Sequence, residues 1–524
     1  LIGHTKKDAV IMAWPAYQKL LSSLSDTPSH GVAMADLLEN RDRSDRLQFA
    51  IDDMKLDLTR QTVTQDQLHI LLQLAKEAEV MEKCHAMLDG KIVNTSEQRP
   101  ALHAHLRDPS QPLAQASVDI MASHLDKLLS LGITDVVSVG IGGSDLGPAM
   151  AVSALSPYQQ GPEIHFVSTI DPSQMGDCLA MLDPSTTAML IISKSFNTPE
   201  TLANMAMAMR WFADADIDYS DRVLAITANP KQAKDMGFGD DNILPFDQGI
   251  GGRYSIWSVV GFGLMLAIGR SGFRAMLAGG HAVDEHVLSA PLYQNAPVNL
   301  ALMRYWNVSV LGRQAESFCP YDQRLDMLTS WLQQLEMESN GKSIDASGNR
   351  VDHLTAPIIF GMAGGDAQHS FFQHIHQSAM VTPVTFLAPL RPLMSDANMA
   401  ADLVADHHDQ LILNMLAQAD SLALGSADDS GFSGGRPSTI ITWLQLSPYT
   451  LGRVLALFEY VTTMSGSLWG LNSFDQPGVE LGKIKAKSYE AIYQGKATDD
   501  HLTDTTKSIF EQLKELKESL TNKP

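Results

Sequence analysis

Glu338 stands in the run Met337-Glu338-Ser339-Asn340-Gly341-Lys342, a single carboxylate between an apolar segment and a Ser-Asn-Gly turn. A carboxylate on a rigid support beside a loop is what a general base requires. The hexapeptide alone fits an exposed glutamate of a last helical turn equally well. A second centre is Gly140-Ile141-Gly142-Gly143-Ser144-Asp145-Leu146-Gly147-Pro148. Its glycines let backbone N–H groups approach an anion at a helix start, and Ser144 adds a hydroxyl donor. Asp145 stands where a dinucleotide fingerprint needs its third glycine, and no Walker-type Gly-Lys-Ser/Thr is present. A plain tight turn is the alternative reading. A third centre is Ser193-Lys194-Ser195-Phe196-Asn197-Thr198-Pro199. Thr198 before Pro199 reads as an N-cap followed by proline at the first helical position. Two hydroxyl-rich helix starts converging on one point describe a phosphate clamp. The plainer reading of the third centre is a Ser/Thr-rich cap with a surface lysine.

Three single residues join these centres. Arg253 follows Gly251-Gly252 at a helix start, where a guanidinium can meet an oxyanion or pin a carboxylate. His369 closes the turn Gly364-Gly365-Asp366-Ala367-Gln368, from which an imidazole reaches ligand or solvent. Lys483 lies three residues after Glu480, so a surface ion pair explains it as well. His103 and His105 are two apart, and His407 and His408 are adjacent. Such pairs diverge on a helix, so no metal centre is expected.

The elements that position these residues follow from periodicity. Leu328, Trp331, Leu332 and Leu335 recur at helical spacing, so a helix should carry Glu338 near its end. Asn340-Gly341 should stop it in the left-handed conformation. Apolar strands are predicted at Asp135–Val139, Ile164–Val167, Ala188–Ile192, Val223–Thr227 and Ile243-Leu244, alternating with helices. In a parallel sheet the strand ends share one edge, so the Gly140 and Ser193 loops can face each other. A second alternating block begins near 291, with helices up to Glu338, then strands at Ala356–Gly361, Val384–Leu387 and Thr439–Trp443. Residues 1 to about 115 read as mostly helical. The stripe Ile509, Leu513, Leu516, Leu520 predicts a terminal helix packed on the body.

Composition bounds the function. The 524 residues are 44% hydrophobic and 19% charged, which describes a folded protein of two or more domains. A net charge of -22 argues against a nucleic-acid binder. The three cysteines, Cys84, Cys178 and Cys319, form no framework, which suits a reducing compartment. No apolar run approaches a membrane span, and no signal peptide is expected.

From the Asn94–Arg107 stretch to Lys483, the chain resembles the glucose-6-phosphate isomerase family. The resemblance rests on Gly140–Pro148, Ser193–Thr201, Gly251–Ser258, Met337–Lys342, the Gln368-His369 turn with Gln373 and His376-Gln377, and Phe474–Lys483, in that order. It implies an α/β fold with two sugar-isomerase (SIS) domains, each a mainly parallel sheet flanked by helices. The expected division is 1–115 as a helical N-terminal extension, 116–290 and 291–490 as the two SIS domains, and 491–524 as a helical tail. It implies a cytoplasmic homodimer acting on phosphosugars without cofactor or metal. By the same resemblance, Ser144, Ser193, Lys194, Ser195 and Thr198 hold the phosphate beside Gly143. Glu338 is the base, Arg253 stabilises the enediolate, and Gln334 and Gln476 bind the sugar. Lys483 lies on the sugar hydroxyl side, and His369 assists ring opening from the partner subunit. The sequence departs from the family pattern at Ser195 and Asn197, where threonines are frequent, at Pro477, where tryptophan is common, and in Gly-Gly-Asp-Ala before His369.

Two kinds of relative share these features. Another phosphosugar isomerase, such as a bifunctional glucose/mannose enzyme, would share the clamp. A non-catalytic SIS regulator would lack the base, and Glu338 argues against it. Asp145 argues against a dinucleotide enzyme.

Overall fold

The computed structural model describes residues 14–25, 34–351, 353–394, 400–426, 431–499 and 502–521. The chain forms two compact units, Leu1–Phe474 and Asp475–Pro524. Among the described residues, the thirteen strands are β1 (Gln48–Ile51), β2 (Met54–Asp57), β3 (Ile92–Asn94), β4 (Arg99–Pro100), β5 (Asp135–Val139), β6 (Glu163–Val167), β7 (Thr187–Ile192), β8 (Val223–Thr227), β9 (Ile243–Pro245), β10 (Ala315–Pro320), β11 (Ile358–Gly361), β12 (Val384–Pro389) and β13 (Ser438–Trp443).

The first large sheet has the order β6-β5-β7-β8-β9, and all its pairs are parallel. Its central strands are buried on both faces, which is why they read as continuous Val/Ile/Leu runs. Chain direction along the sheet reverses between β5 and β7. The carboxyl ends at such a reversal open a crevice, the usual ligand position in open α/β sheets. The Gly140 and Ser193 loops leave from these two strand ends.

The second sheet has the order β1-β2-β13-β12-β10-β11. Strands β10 to β13 are parallel and repeat the topology of the first sheet, with the earliest strand flanked by the next two. The β1-β2 hairpin adds to this sheet by antiparallel pairing of β2 with β13. The mostly helical reading of residues 1 to about 115 had no place for this hairpin. Nor was β10, the inner strand between β12 and β11, foreseen in a stretch expected to be helical up to Glu338.

Two helices join the halves. Phe262–Ser289 and Pro448–Leu468 cross at glycines: a Cβ on Gly279 would lie 1.9 Å from the Tyr449 carbonyl, and one on Gly452 2.0 Å from that of Met276. Val259–Ser289 is long and apolar enough to cross a membrane by length and composition, which corrects the expectation that no run approaches a span. Its most apolar stretch is 67% buried in protein, the condition of a core helix apolar on all sides. Cys84, Cys178 and Cys319 are free, buried thiols, and burial pushes Cys84 and Cys319 up to about 12. In the second unit, Tyr489 and Tyr493 meet Phe510 edge-on. Ile509, Leu513 and Leu516, expected to be buried, are 51%, 48% and 61% exposed.

Candidate active site

The loop after β5 turns through Gly142–Ser144 and enters the helix Leu146–Ala154. It lies directly on the turn Gly252–Trp257. A Cβ on Gly143 would sit 2.1 Å from the Gly252 carbonyl carbon and 2.5 Å from the Arg253 nitrogen. Only glycine permits that approach. Ser255 Oγ donates to the Gly143 carbonyl at 3.2 Å and ties the two turns together. Asp145 is buried beside Ser144, and burial pushes its carboxyl up to about 6.

The loop after β7 is held by its own hydroxyls. Ser193 Oγ lies 3.0 Å from Thr198 Oγ1 and accepts from the Phe196 N–H at 3.1 Å. Thr198 occupies the N-cap position and Pro199 opens the helix Pro199–Asp214, as expected. Its hydroxyl, however, bonds Ser193 rather than the helix backbone. Phe196 adopts the left-handed conformation with φ 53 while fully buried against Phe238. For a bulky residue that costs roughly 1–3 kcal/mol, a strain usually found where a loop serves a ligand. Ser195 bonds Asn197, and both are exposed. Lys194 is no free surface lysine. Its Nζ donates to the carbonyls of Gln248 (2.8 Å) and Ile250 (2.9 Å), and burial lowers its pKa.

Glu338 lies near the end of a helix that runs on to Asn340 and widens before it ends. Leu328–Gln333 is α-helical and Gln334–Glu338 is π-helical. Single π turns inside helices are frequent at functional sites. Gln334 and Glu338, four residues apart, bracket the widened turn. Gln334 lies against the glycine loop, its Nε2 3.0 Å from where a Gly142 Cβ would be. Neither Asn340 nor Gly341 is left-handed, contrary to expectation. The Asn340 amide is instead captured by Glu336 Oε1 (3.0 Å) and the Thr462 carbonyl (2.8 Å).

Arg253 brings these parts together. Its Nη1 meets Glu338 Oε1 at 3.1 Å, its Nε donates to Ser339 Oγ at 2.6 Å, and its Nη2 donates to the Ser473 carbonyl at 2.7 Å. The Arg253 side chain is 2% exposed, against 23% for that of Glu338. The carboxylate therefore opens outward while the guanidinium is fixed. Tyr254 bonds Ser339 (3.0 Å) and the Ser473 carbonyl (3.1 Å), and it stacks on His103 with centroids 4.7 Å apart. Burial and nearby Arg107 hold His103 well below the usual imidazole range.

The structure thus gathers Gly143, Ser144, Arg253, Gln334 and Glu338. The cluster of Ser193, Lys194, Ser195 and Thr198 is joined to them through the Lys194 bond to Ile250. His369 stands elsewhere. The helix bearing Glu338 starts near the carboxyl end of β11, where Asp326 accepts from the Ala363 N–H at 2.8 Å. It runs back to the amino end, where Gln333 donates to the Ile359 carbonyl at 2.9 Å. Glu338 lies beyond Gln333, whereas His369 follows the carboxyl end of β11 and is exposed. The two residues belong to opposite edges of one sheet. Gln476 and Lys483 lie in the second unit, where Lys483 pairs with Glu480 at 2.8 Å, the plainer reading given above.

Among the described residues, Asp135, Glu163 and His165 form a group whose ligand atoms lie within 4.8 Å of one another. It lies at the amino ends of β5 and β6, away from the Gly140 loop. His165 Nε2 lies 2.8 Å from Asp135 Oδ1, a part-buried hydrogen bond.

The sequence profile described as phosphoglucose isomerase matches residues 57–510. The chain belongs to the phosphoglucose isomerase family. It is 38% identical over 521 residues to the glucose-6-phosphate isomerase of Xanthobacter autotrophicus, covering 91% of this chain and 94% of that one. It is 40% identical over 461 residues to that of Polaromonas naphthalenivorans, covering 84% and 87%. The crystal structure of a glucose-6-phosphate isomerase from Chlamydia trachomatis superposes with a TM-score of 0.84 at 28% identity, covering 97% of this chain and 99% of the other. The chain is accordingly an aldose–ketose isomerase. Beyond the residues expected from family membership, the geometry adds Tyr254, Ser339, Asn340 and Ser473. Tyr254, Ser339 and Asn340 lie inside stretches already singled out, and that is the signal that could have found them; Ser473 lies just before the stretch Phe474–Lys483. Arg304 and Glu336 had no such signal.

Proposed function

We propose that the chain interconverts glucose 6-phosphate and fructose 6-phosphate by ring opening and proton transfer through a cis-enediol, in glycolysis and gluconeogenesis. The observation that carries this is the pairing of a half-open carboxylate, Glu338, with a buried guanidinium, Arg253, at 3.1 Å beside the glycine loop. A proton alpha to a carbonyl is weakly acidic, so a base and a charge to meet the developing oxyanion are both needed. Glu338 moves the proton between carbons 1 and 2, whose planar enediol presents both on one face. Arg253 stabilises the enediolate. Ser144, Ser193, Lys194, Ser195 and Thr198 hold the phosphate, which orients the reacting atoms through remote binding energy. Gln334 bonds the sugar; its Oε1 is buried without a partner among the described residues, and buried polar atoms require one. Gln476 and Lys483 serve the sugar by family resemblance alone.

His369 assists ring opening, and the active form is a homodimer with shared sites. The separation of His369 and Glu338 onto opposite edges of one sheet supports this reading, since β11 alone spans about 13 Å. The proposed division is 1–115, 116–290, 291–490 and 491–524; the middle two intervals hold the parallel strands β5–β9 and β10–β13, and β1-β2 of the first interval joins the second sheet. Three free buried cysteines suit a cytoplasmic setting. The chemistry needs neither metal nor cofactor, and the charge of -22 gives nucleic acid no basic face.

The test is conversion of fructose 6-phosphate in a coupled assay, with and without a strong chelator, beside mannose 6-phosphate. Unchanged activity after chelation is expected. Loss restored by one divalent metal, or a preference for mannose 6-phosphate, overturns the reading.

A further inference from the structure

Beneath the Glu338 turn runs a chain of buried polar groups that the reaction does not touch. Arg304 donates from Nε to Glu316 Oε2 (2.8 Å) and from Nη1 to Glu336 Oε2 (2.7 Å). Thr462 Oγ1 donates to Glu336 Oε2 at 2.7 Å, and Glu336 Oε1 accepts from Asn340 Nδ2 at 3.0 Å. Asn340 Oδ1 accepts from Ser473 Oγ at 2.7 Å. The Ser473 carbonyl then accepts from Arg253 Nη2, and Arg253 meets Glu338. Glu336, Asn340, Ser339 and Ser473 are each 3% exposed or less. Burying a carboxylate here is costly, and desolvation does push the Glu336 pKa up. An apolar side chain would stabilise the core as well or better. A charge kept at such a place needs another reason, and its connections supply one.

We infer that Glu336 is a positioning residue for the isomerase reaction. It fixes Asn340, which through Ser473 sets the position of the Arg253 guanidinium against Glu338. Glu336 and Glu338 are two apart on one helix, so their side chains leave in different directions. One reaches into the protein to Arg304, and the other faces the substrate. The π turn over Gln334–Glu338 is the local form of this arrangement. Both carboxylates are then held by one arginine each, and the two arginines are tied together through Asn340 and Ser473. A misplacement of about 1 Å in such a system costs about 10²-fold in rate.

The inference rests on Glu338 as base, and the experiment separates the two. Glu336→Gln preserves shape and removes the charge that Arg304 and Asn340 both use. The expected result is a kcat reduced about 10–100-fold, with KM changed less than about 3-fold. The acid limb of the kcat/KM pH profile, which reports the base, should move, because Arg253 is no longer held at a fixed distance from it. Thermal unfolding of the same sample shows whether the variant is folded. Ser473→Ala removes only the hydroxyl bonded to Asn340 and tests the same path if Glu336→Gln does not fold. It should lower kcat about 3–10-fold with the same shift of the acid limb. A folded variant with unchanged kcat and unchanged acid limb overturns the positioning role. So does a loss confined to KM. Glu338→Gln is the control: if it keeps turnover, the base assignment has failed, whatever Glu336 does.

Discussion

The two parallel sheets share one strand order but serve the site with opposite edges. The first offers its carboxyl edge, where the Gly140 and Ser193 loops leave β5 and β7. The second offers its amino edge, because Glu338 lies near the end of a helix that has run back from the carboxyl ends of its strands. Its own carboxyl edge carries His369, which is left facing solvent. One topology used twice has thus produced one complete half-site and one divided half-site. The difference teaches that fold repetition does not repeat function; the edge that is used decides it.

The sharpest way to break this comparison is to reassort subunits. Glu338→Ala and His369→Ala are each expected to be nearly dead. If the two residues of one site come from different chains, a mixed dimer holds one site with both lesions and one with neither. Random exchange makes about half the dimers mixed, so about a quarter of all sites become intact. Activity after dissociation and reassociation, with exchange confirmed by tags, reads this directly. Full exchange without recovery places His369 within its own chain's site or outside the reaction.

The same contrast governs how much was legible from sequence. The first sheet was read almost strand for strand, since the inner strands β7 and β8 are largely apolar and each site loop carries local punctuation. In the second sheet, β10 was missed. Ala315-Glu316-Ser317-Phe318-Cys319-Pro320 contains a charge and ends in proline, so no apolar run announces an inner strand. Glu316 is tolerated there because Arg304 meets it, a partner that only the folded chain supplies. The β1-β2 hairpin alternates in burial but has two strands of only four residues among helices. The hexapeptide around Glu338 was legible as chemistry, whereas its support from Arg304, Thr462 and Ser473 was not. Those contacts join positions up to 133 residues apart.

A second variant tests the seam between the turn holding Arg253 and the clamp. Gly143→Ala places a methyl group 2.1 Å from the Gly252 carbonyl carbon, where backbone must move. The displaced backbone is that of Arg253, so kcat/KM should fall about 10²-fold. Overpacking should also lower stability by about 1–3 kcal/mol. Steady-state kinetics and denaturant unfolding measure the two effects. Wild-type kinetics in the folded variant would mean that the two turns do not depend on this contact.

The smallest expected effect concerns charge, and here the regions differ again. Glu336 is buried but paired with Arg304. Asp145, beside Ser144 in the glycine loop, is 7% exposed, and its Oδ1 has no hydrogen-bond partner among the described residues. Desolvation alone accounts for its rise from 3.8 to about 6. A carboxyl whose pKa is raised by folding binds its proton more tightly in the native state. Its favourable contribution is complete below the unfolded pKa of 3.8 and is lost as pH rises through about 6. Above that, the folded chain carries a desolvated charge. Asp145→Asn cannot ionise, so it escapes this loss, although a buried amide brings its own pH-independent cost. The stability of the variant relative to the wild type should therefore climb by roughly 2 kcal/mol between pH 4 and pH 8. Most of the climb should lie between about 4 and 6, whatever the offset at pH 4. Denaturant midpoints for both proteins at fixed concentration across that range give the difference directly. A flat difference would mean that Asp145 ionises in the folded chain at no cost. The glycine loop would then carry a paired charge, as the Glu338 turn does, and the contrast between the two regions would not extend to their electrostatics.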